Sequence, residues 1–136
     1  MNLNEALDLL KNRGYKYTGK REDFLRYLTT ENSYRTAKDL LEFMQKTDQN
    51  VSVDTVYRNL HLFTELGIVE TTEMDGEKYF RVTCDSNQHH HHFICKSCGK
   101  TKEIHLCPMD RINKELNGFE IEDHKFEIYG KCPACV

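Results

Sequence analysis

Residues 52–83 read SVDTVYRNLHLFTELGIVETTEMDGEKYFRVT, and a change of rhythm inside this stretch decides the fold. Ser52 offers a hydroxyl to the free N–H groups of a first helical turn. Behind it Val53, Val56, Leu60 and Phe63 recur at spacings of three, four and three, which lines up one face of an α-helix. Gly67 ends that helix. The period then shortens: Ile68 to Thr72 and Lys78 to Thr83 are β-branched or aromatic runs, joined by Met74-Asp75-Gly76-Glu77. Asp-Gly supplies two residues that tolerate positive φ, as a tight hairpin requires.

Upstream the pattern stays helical. Leu3, Ala6, Leu7 and Leu10 predict a first helix that runs into Gly14. Thr18 can cap a second, with Phe24, Leu25 and Leu28 on its inner face, and Thr36 a third, with Ala37, Leu40, Leu41 and Met44 inward. Helices followed by a hairpin, the last helix polar along one side, describe a winged helix-turn-helix. The fourth helix would then lie in a DNA major groove with the hairpin beside the backbone. The alternative is a small helical core whose hairpin has no such role.

The character of the chain changes at about Thr83, which predicts two domains, 1–83 and 84–136. In the second, His89 to Cys95 and Thr101 to His105 read as strands. Pro108 starts a helix through Asp110, Ile112 and Leu116, stopped by Asn117-Gly118, and Phe119 to Tyr129 reads as a final strand. The whole is of the α+β kind. So small an α/β unit holds few apolar residues, and domains of this sort often depend on a metal.

The cysteines supply one. Cys95-x-x-Cys98 and Cys132-x-x-Cys135 each form a short turn that aims two thiolates at one point. Four thiolates suit a tetrahedral, structural zinc ion. An iron–sulfur cluster or a pair of redox disulfides is the alternative. The run His89-His90-His91-His92 lies between the hairpin and the first knuckle. On a strand successive side chains alternate, so His89 and His91 face one way and His90 and His92 the other. Each pair can give two imidazoles to a separate metal, unless the run is only a solvated polar strand.

Cys84, six residues before His90, is close enough to join His90 and His92, and its sulfur biases such a site toward zinc over iron or manganese. Otherwise it is a small buried thiol. Glu70 is the candidate fourth ligand, while Glu65, Glu73 and Glu77 read as solvated acids. For the opposite face the candidates are His124 and an acid from residues 103–110, with Asp110 foremost, although Asp110 also suits a helix start as a plain charge. Cys107 fits neither set well and reads as a spare thiol or a weak alternative ligand.

The 136 residues are 30% charged and 38% hydrophobic, with a net charge of −3, as for a soluble globular protein. No basic stretch followed by an apolar run marks a signal peptide, and no apolar run approaches the roughly 18 residues of a membrane span. A cytoplasmic protein without membrane association is expected, where cysteines bind metal more readily than they form disulfides. Lys11, Arg13, Lys16, Lys20 and Arg21 form a basic cluster with no acid among them. It is a solvated face unless a DNA-reading helix lies nearby.

Three segments together carry a resemblance. They are Asp54-Thr55-Val56-Tyr57-Arg58-Asn59-Leu60, the histidine run ending in His92-Phe93-Ile94-Cys95-x-x-Cys98-Gly99, and His124-x-x-x-x-Tyr129-Gly130-x-Cys132-x-x-Cys135. The chain resembles the ferric uptake regulator (Fur) family over nearly its whole length. The resemblance implies a dimeric, metal-responsive repressor with an N-terminal winged helix and a C-terminal dimerisation domain. The family's iron and peroxide sensors carry a histidine and an acid where this chain has Tyr34 and Cys84. Cys84 with Glu70 resembles instead the zinc uptake regulator (Zur) branch. It implies a regulatory zinc site of Glu70, Cys84, His90 and His92, and a second of His89, His91, an acid such as Asp110, and His124. Tyr57 and Arg58 match the family's DNA-contacting pair, and Lys16 a basic residue that enters the neighbouring minor groove.

The function so implied is a zinc-responsive transcriptional repressor, not an enzyme, which binds double-stranded operator DNA as a homodimer and takes no small-molecule substrate. The alternatives are a family repressor sensing iron, manganese or nickel, a small zinc hydrolase, and a cytosolic zinc store. No His-Glu-x-x-His pattern supports the hydrolase.

Overall fold

A computed structural model describes residues 1–31, 33–84 and 89–136. The chain divides into two compact units, Met1–Asp85 and Ser86–Val136, a division two residues beyond the expected one at 83/84.

The first unit contains α1 (Leu3–Asn12), α2 (Gly19–Glu31), β1 (Arg35–Thr36), α3 (Ala37–Gln45), α4 (Val53–Glu65), β2 (Val69–Met74) and β3 (Glu77–Val82). Each helix starts on a side-chain cap. Asn2 accepts from the Glu5 amide at 2.9 Å, Thr18 from Arg21 at 3.1 Å and Ser52 from Thr55 at 3.2 Å. Thr36 and Asp39 form a reciprocal capping box at 3.0 and 3.1 Å. Phe24, Leu25, Leu28, Leu40, Met44, Val56, Leu60, Phe63 and Ile68 are buried together as one core. Val53, first in α4, is exposed, so the buried stripe of that helix begins at Val56.

The wing follows the hairpin rule. Asp75 has φ 53° and Gly76 φ 79°, both positive, as the mirror-image two-residue turn demands. β2 and β3 pair antiparallel from Val69↔Val82 to Met74↔Glu77. β1 adds a third strand, Arg35↔Phe80 and Thr36↔Tyr79, giving the order β1-β3-β2. Thr36 therefore ends a strand and caps α3 at once, tying wing to helices. A two-residue strand leaves no periodicity in a sequence, which is why it was not expected.

The second unit contains β4 (His91–Cys95), β5 (Thr101–Ile104), α5 (Met109–Glu115) and β6 (Glu127–Gly130). β4 is central, antiparallel to β5 and parallel to β6. The strand expected over Phe119–Tyr129 forms only from Glu127. The parallel register His92↔Glu127 to Cys95↔Gly130 matches β6 to a β4 of five residues, and residues 119–126 precede that pairing. Buried side chains here are few among the described residues: Ile94, Cys95, Cys132 and His91. α5 buries none. Leu106, Ile112, Phe119, Ile121, Phe126 and Ile128 are exposed. Such a unit has little core with which to hold its fold.

Candidate metal centres and nucleic-acid interface

The first knuckle is a turn pulled tight by backbone. The Gly99 amide donates to the Cys95 carbonyl at 2.9 Å and Cys95 to Lys100 at 2.8 Å, with Gly99 at φ 77°. The second is matched by Cys135 donating to the Cys132 carbonyl at 2.9 Å. The two meet because β6 runs parallel to β4 and Lys96 donates to the Gly130 carbonyl at 2.8 Å. The sulfurs of Cys95, Cys98, Cys132 and Cys135 lie within 4.8 Å of one another, Cys98 and Cys132 at 3.8 Å, and all four are free thiols. Zinc–sulfur bonds of about 2.3 Å set a tetrahedral edge of about 3.8 Å. The donor set and spacing fit that ion.

The electrostatics fit as well. Backbone N–H groups of Cys132 and Cys98 lower the Cys95 thiol to about 6, with Cys132 N to Cys95 Sγ at 3.4 Å. Hydrogen bonds with Cys132, Cys95 and Cys98 push Cys135 up to about 12. Four sulfurs converging on one point cannot all ionise without a cation, and a bound divalent ion releases the remaining protons.

The histidine run divides between the two sides of β4. His89 and His91, with His124, turn toward one point. His89 Nε2 is 3.1 Å from His91 Nε2 and 2.9 Å from His124 Nε2. Cys107, from the segment between β5 and α5, completes the group, its Sγ 3.3 Å from His91 Nε2 and 3.7 Å from His124 Nε2. Asp110, the acid expected here, lies instead in the exposed first turn of α5 and is not in the cluster. The β5–α5 segment brings Cys107 inward and carries the chain on before Asp110 is reached. Burial lowers the His91 imidazole below its usual range, with His89 and His124 adding to the effect.

On the other side His90 and His92 stack edge to face, ring centroids 4.8 Å apart. Glu103 is the Cα partner of His92 across β4–β5, and its Oε1 is 3.8 Å from His90 Nε2. The sequence points to an acid from residues 103–110 for the opposite face, and only the strand register places Glu103 beside His90 and His92 instead. Cys84 and Glu70 belong to the first unit. Arg81, a buried residue of β3, donates to Cys84 Sγ at 2.7 Å and lies 3.2 Å from Glu70 Oε1. Glu70, expected as a metal ligand, is thus an ion-pair partner of Arg81. Tyr34 is buried in the same unit.

The candidate DNA-facing residues lie in the first unit. Tyr57 and Arg58 are exposed on α4, Tyr57 by 53%. Arg58 shares a shallow cleft of about 280 Å³ with Thr18, Lys20, Arg21 and Asn59. Arg21 Nη1 donates to the Lys16 carbonyl at 2.7 Å, fixing the segment that presents exposed Lys16. The fold therefore brings part of the basic cluster against α4, the condition under which it has a nucleic-acid reading. No helix among the described residues is long and apolar enough to cross a membrane.

A winged helix joined to a small domain organised around thiol and imidazole clusters is the plan of a metal-responsive DNA-binding regulator. Comparison with known proteins agrees. The sequence profile of the ferric uptake regulator family matches residues 12–129. Ferric uptake regulation proteins of Staphylococcus epidermidis and Staphylococcus aureus are each 50% identical over 135 residues, covering 99% of this chain and 96% and 98% of theirs. A zinc uptake regulator solved with zinc and DNA superposes with a TM-score of 0.70 at 27% identity, covering 97% of this chain and 91% of that one. The Vibrio cholerae ferric uptake regulator gives 0.69 at 28% identity, covering 92% and 98%. The chain belongs to the ferric uptake regulator family. It is a metalloregulatory transcription factor of winged-helix and dimerisation-domain architecture, in a family of regulators rather than enzymes.

Proposed function

We propose that this protein is a zinc-responsive repressor that binds operator DNA as a homodimer when its regulatory site is filled. The observation that carries the reading is the donor chemistry. His90, His92 and Glu103 converge in the second unit, and Cys84 precedes His90 by six residues in the chain. Thiolate and imidazole donors favour zinc, whereas sites for manganese or iron(II) rely more on carboxylates and water. Glu103 is the acid that the second unit itself supplies, while Glu70 pairs with Arg81 through Oε1.

A metal held by Cys84 together with His90 and His92 would make its occupancy a conformational constraint on the chain. Zinc supplies a four-coordinate link that needs no redox chemistry. Arg58, Tyr57 and Lys16 then contact DNA at a half-site separation that a two-fold symmetric operator fixes. The coupling is reciprocal: DNA must tighten metal binding by the factor by which metal tightens DNA binding. The Cys95/Cys98/Cys132/Cys135 site would hold its zinc permanently.

The test is zinc titration of operator binding with the four-cysteine site already loaded. Cys84→Ser should abolish the zinc response, and an unchanged response would remove Cys84 from the sensing site. A second reading, iron sensing, has support in the name carried by the half-identical staphylococcal relatives. Under anaerobic conditions it requires iron(II) to promote DNA binding at a lower free concentration than zinc does.

A further inference from the structure

We infer that Cys107, not an acid, is the fourth ligand of the His89/His91/His124 cluster, making a second, closed His₃Cys site built for zinc. This deepens the zinc reading, on which it rests for the identity of the physiological ion, but the geometry belongs wholly to the second unit.

All three histidines present the same atom. The Nε2 atoms of His89 and His91 lie 3.1 Å apart and those of His124 and His89 2.9 Å apart, with Cys107 Sγ at 3.3 and 3.7 Å from His91 and His124. All four donor atoms fall within 4.8 Å of one another. Bonds of about 2.0–2.1 Å to nitrogen and 2.3 Å to sulfur give tetrahedral N···N and N···S edges of about 3.3 and 3.6 Å. The observed separations lie close to both.

The surroundings orient the rings for ligation. His91 is buried, packs edge-on against Phe126 with ring centroids 5.5 Å apart, and hydrogen-bonds the Phe126 backbone. A backbone hydrogen bond of this kind fixes which ring nitrogen a ligating histidine presents. Cys107 is half-buried just before Pro108, while Asp110 lies beyond it, exposed in the first turn of α5.

A thiolate here has consequences that a carboxylate would not. It donates one soft atom and cannot chelate through two oxygens, so the site closes at four ligands. Hard ions that prefer six oxygen-rich ligands, manganese above all, are disfavoured, and zinc is favoured. The preference is therefore set twice in this chain, by Cys84 in the first unit and by Cys107 in the second.

Cobalt(II), a spectroscopic stand-in for zinc, separates the possibilities. The full-length Cys84→Ser protein, with zinc in the four-cysteine site, would be titrated with cobalt. One equivalent per protomer should produce tetrahedral d–d bands together with a sulfur-to-cobalt charge-transfer band in the near ultraviolet. Adding Cys107→Ser should remove the charge-transfer band and weaken cobalt binding at least tenfold, whereas Asp110→Asn should leave both unchanged. X-ray absorption of the Cys84→Ser protein, which needs no change at Cys107, should show three nitrogen scatterers and one sulfur.

Cobalt bound without the sulfur band, a band that survives Cys107→Ser, or a sensitivity to Asp110→Asn would each overturn the assignment. So would an absence of cobalt binding to Cys84→Ser. Because Cys84 is absent throughout, these results are independent of the DNA titration: either can fail while the other holds.

Discussion

Stripping the metal from the second unit should unfold that unit and leave the first intact. Ile94 is its one large, fully buried aliphatic side chain among the described residues, and burying such a group contributes about 1.5–3 kcal/mol. A structural zinc site contributes about 10–16 kcal/mol, comparable with the ~5–15 kcal/mol net stability of a whole domain. The first unit draws instead on Phe24, Leu28, Leu40, Leu60, Phe63 and their neighbours, a core without metal donors. Hydrogen exchange read by mass spectrometry resolves the two. After extraction by a strong chelator under reducing conditions, amides of β4, β5 and β6 should exchange at nearly unprotected rates, while those of α2–α4 keep their protection. Cys98→Ser should reproduce the pattern with the imidazole sites still supplied with zinc. A fall in β4–β6 protection of less than about tenfold, or about 1.4 kcal/mol, would refute the reasoning. It would mean that the sheet and its apolar surfaces hold the unit without the ion.

Other expectations are more local. Arg58→Ala should weaken operator binding by about 1–3 kcal/mol if it reads a base edge. If it contacts phosphate, the salt slope should fall by roughly one unit instead. Either effect should leave zinc per protomer unchanged, and fluorescence anisotropy across a salt series with metal analysis checks both. Thr36→Ala removes the hydroxyl of the α3 capping box, 3.1 Å from the Asp39 amide, and should cost about 1 kcal/mol. A lower urea midpoint at constant slope for the first unit would show it, and an unchanged midpoint would mean that solvent replaces the cap.

What could be read in advance was what the chain writes locally. Ser52, the apolar stripe from Val56 to Phe63, and Asp75-Gly76 each act over a few residues, so α4 and the wing were legible. The four-cysteine site was legible because each Cys-x-x-Cys pair forms its own knuckle. The division of the histidines followed from strand alternation alone. The partners opposite them were not legible. Glu103 reaches its place only through the β4–β5 register, and Cys107 through the length of the segment before α5. Glu70 is a candidate ligand by spacing, and its ion pair with Arg81 arises from the β2–β3 register that sets the two opposite each other. The strand expected over Phe119–Tyr129 forms only from Glu127 for the same reason: a strand needs a partner, and alternation does not supply one.

The parallel pairing of β4 with β6 also has a consequence in time. Antiparallel neighbours joined by a tight turn can close as soon as they are made, but Cys98 and Cys132 are 34 positions apart in the chain. At about 5–20 residues per second, synthesis leaves the first knuckle a bare dithiol for about 2–7 s before its partner exists. During that interval a half-site is open to any thiophilic ion or oxidant, and a bound ion must wait for the second pair to exclude solvent. Metallation of the second unit is thus a late step of biogenesis, completed after the DNA-reading half has had its whole sequence available to fold.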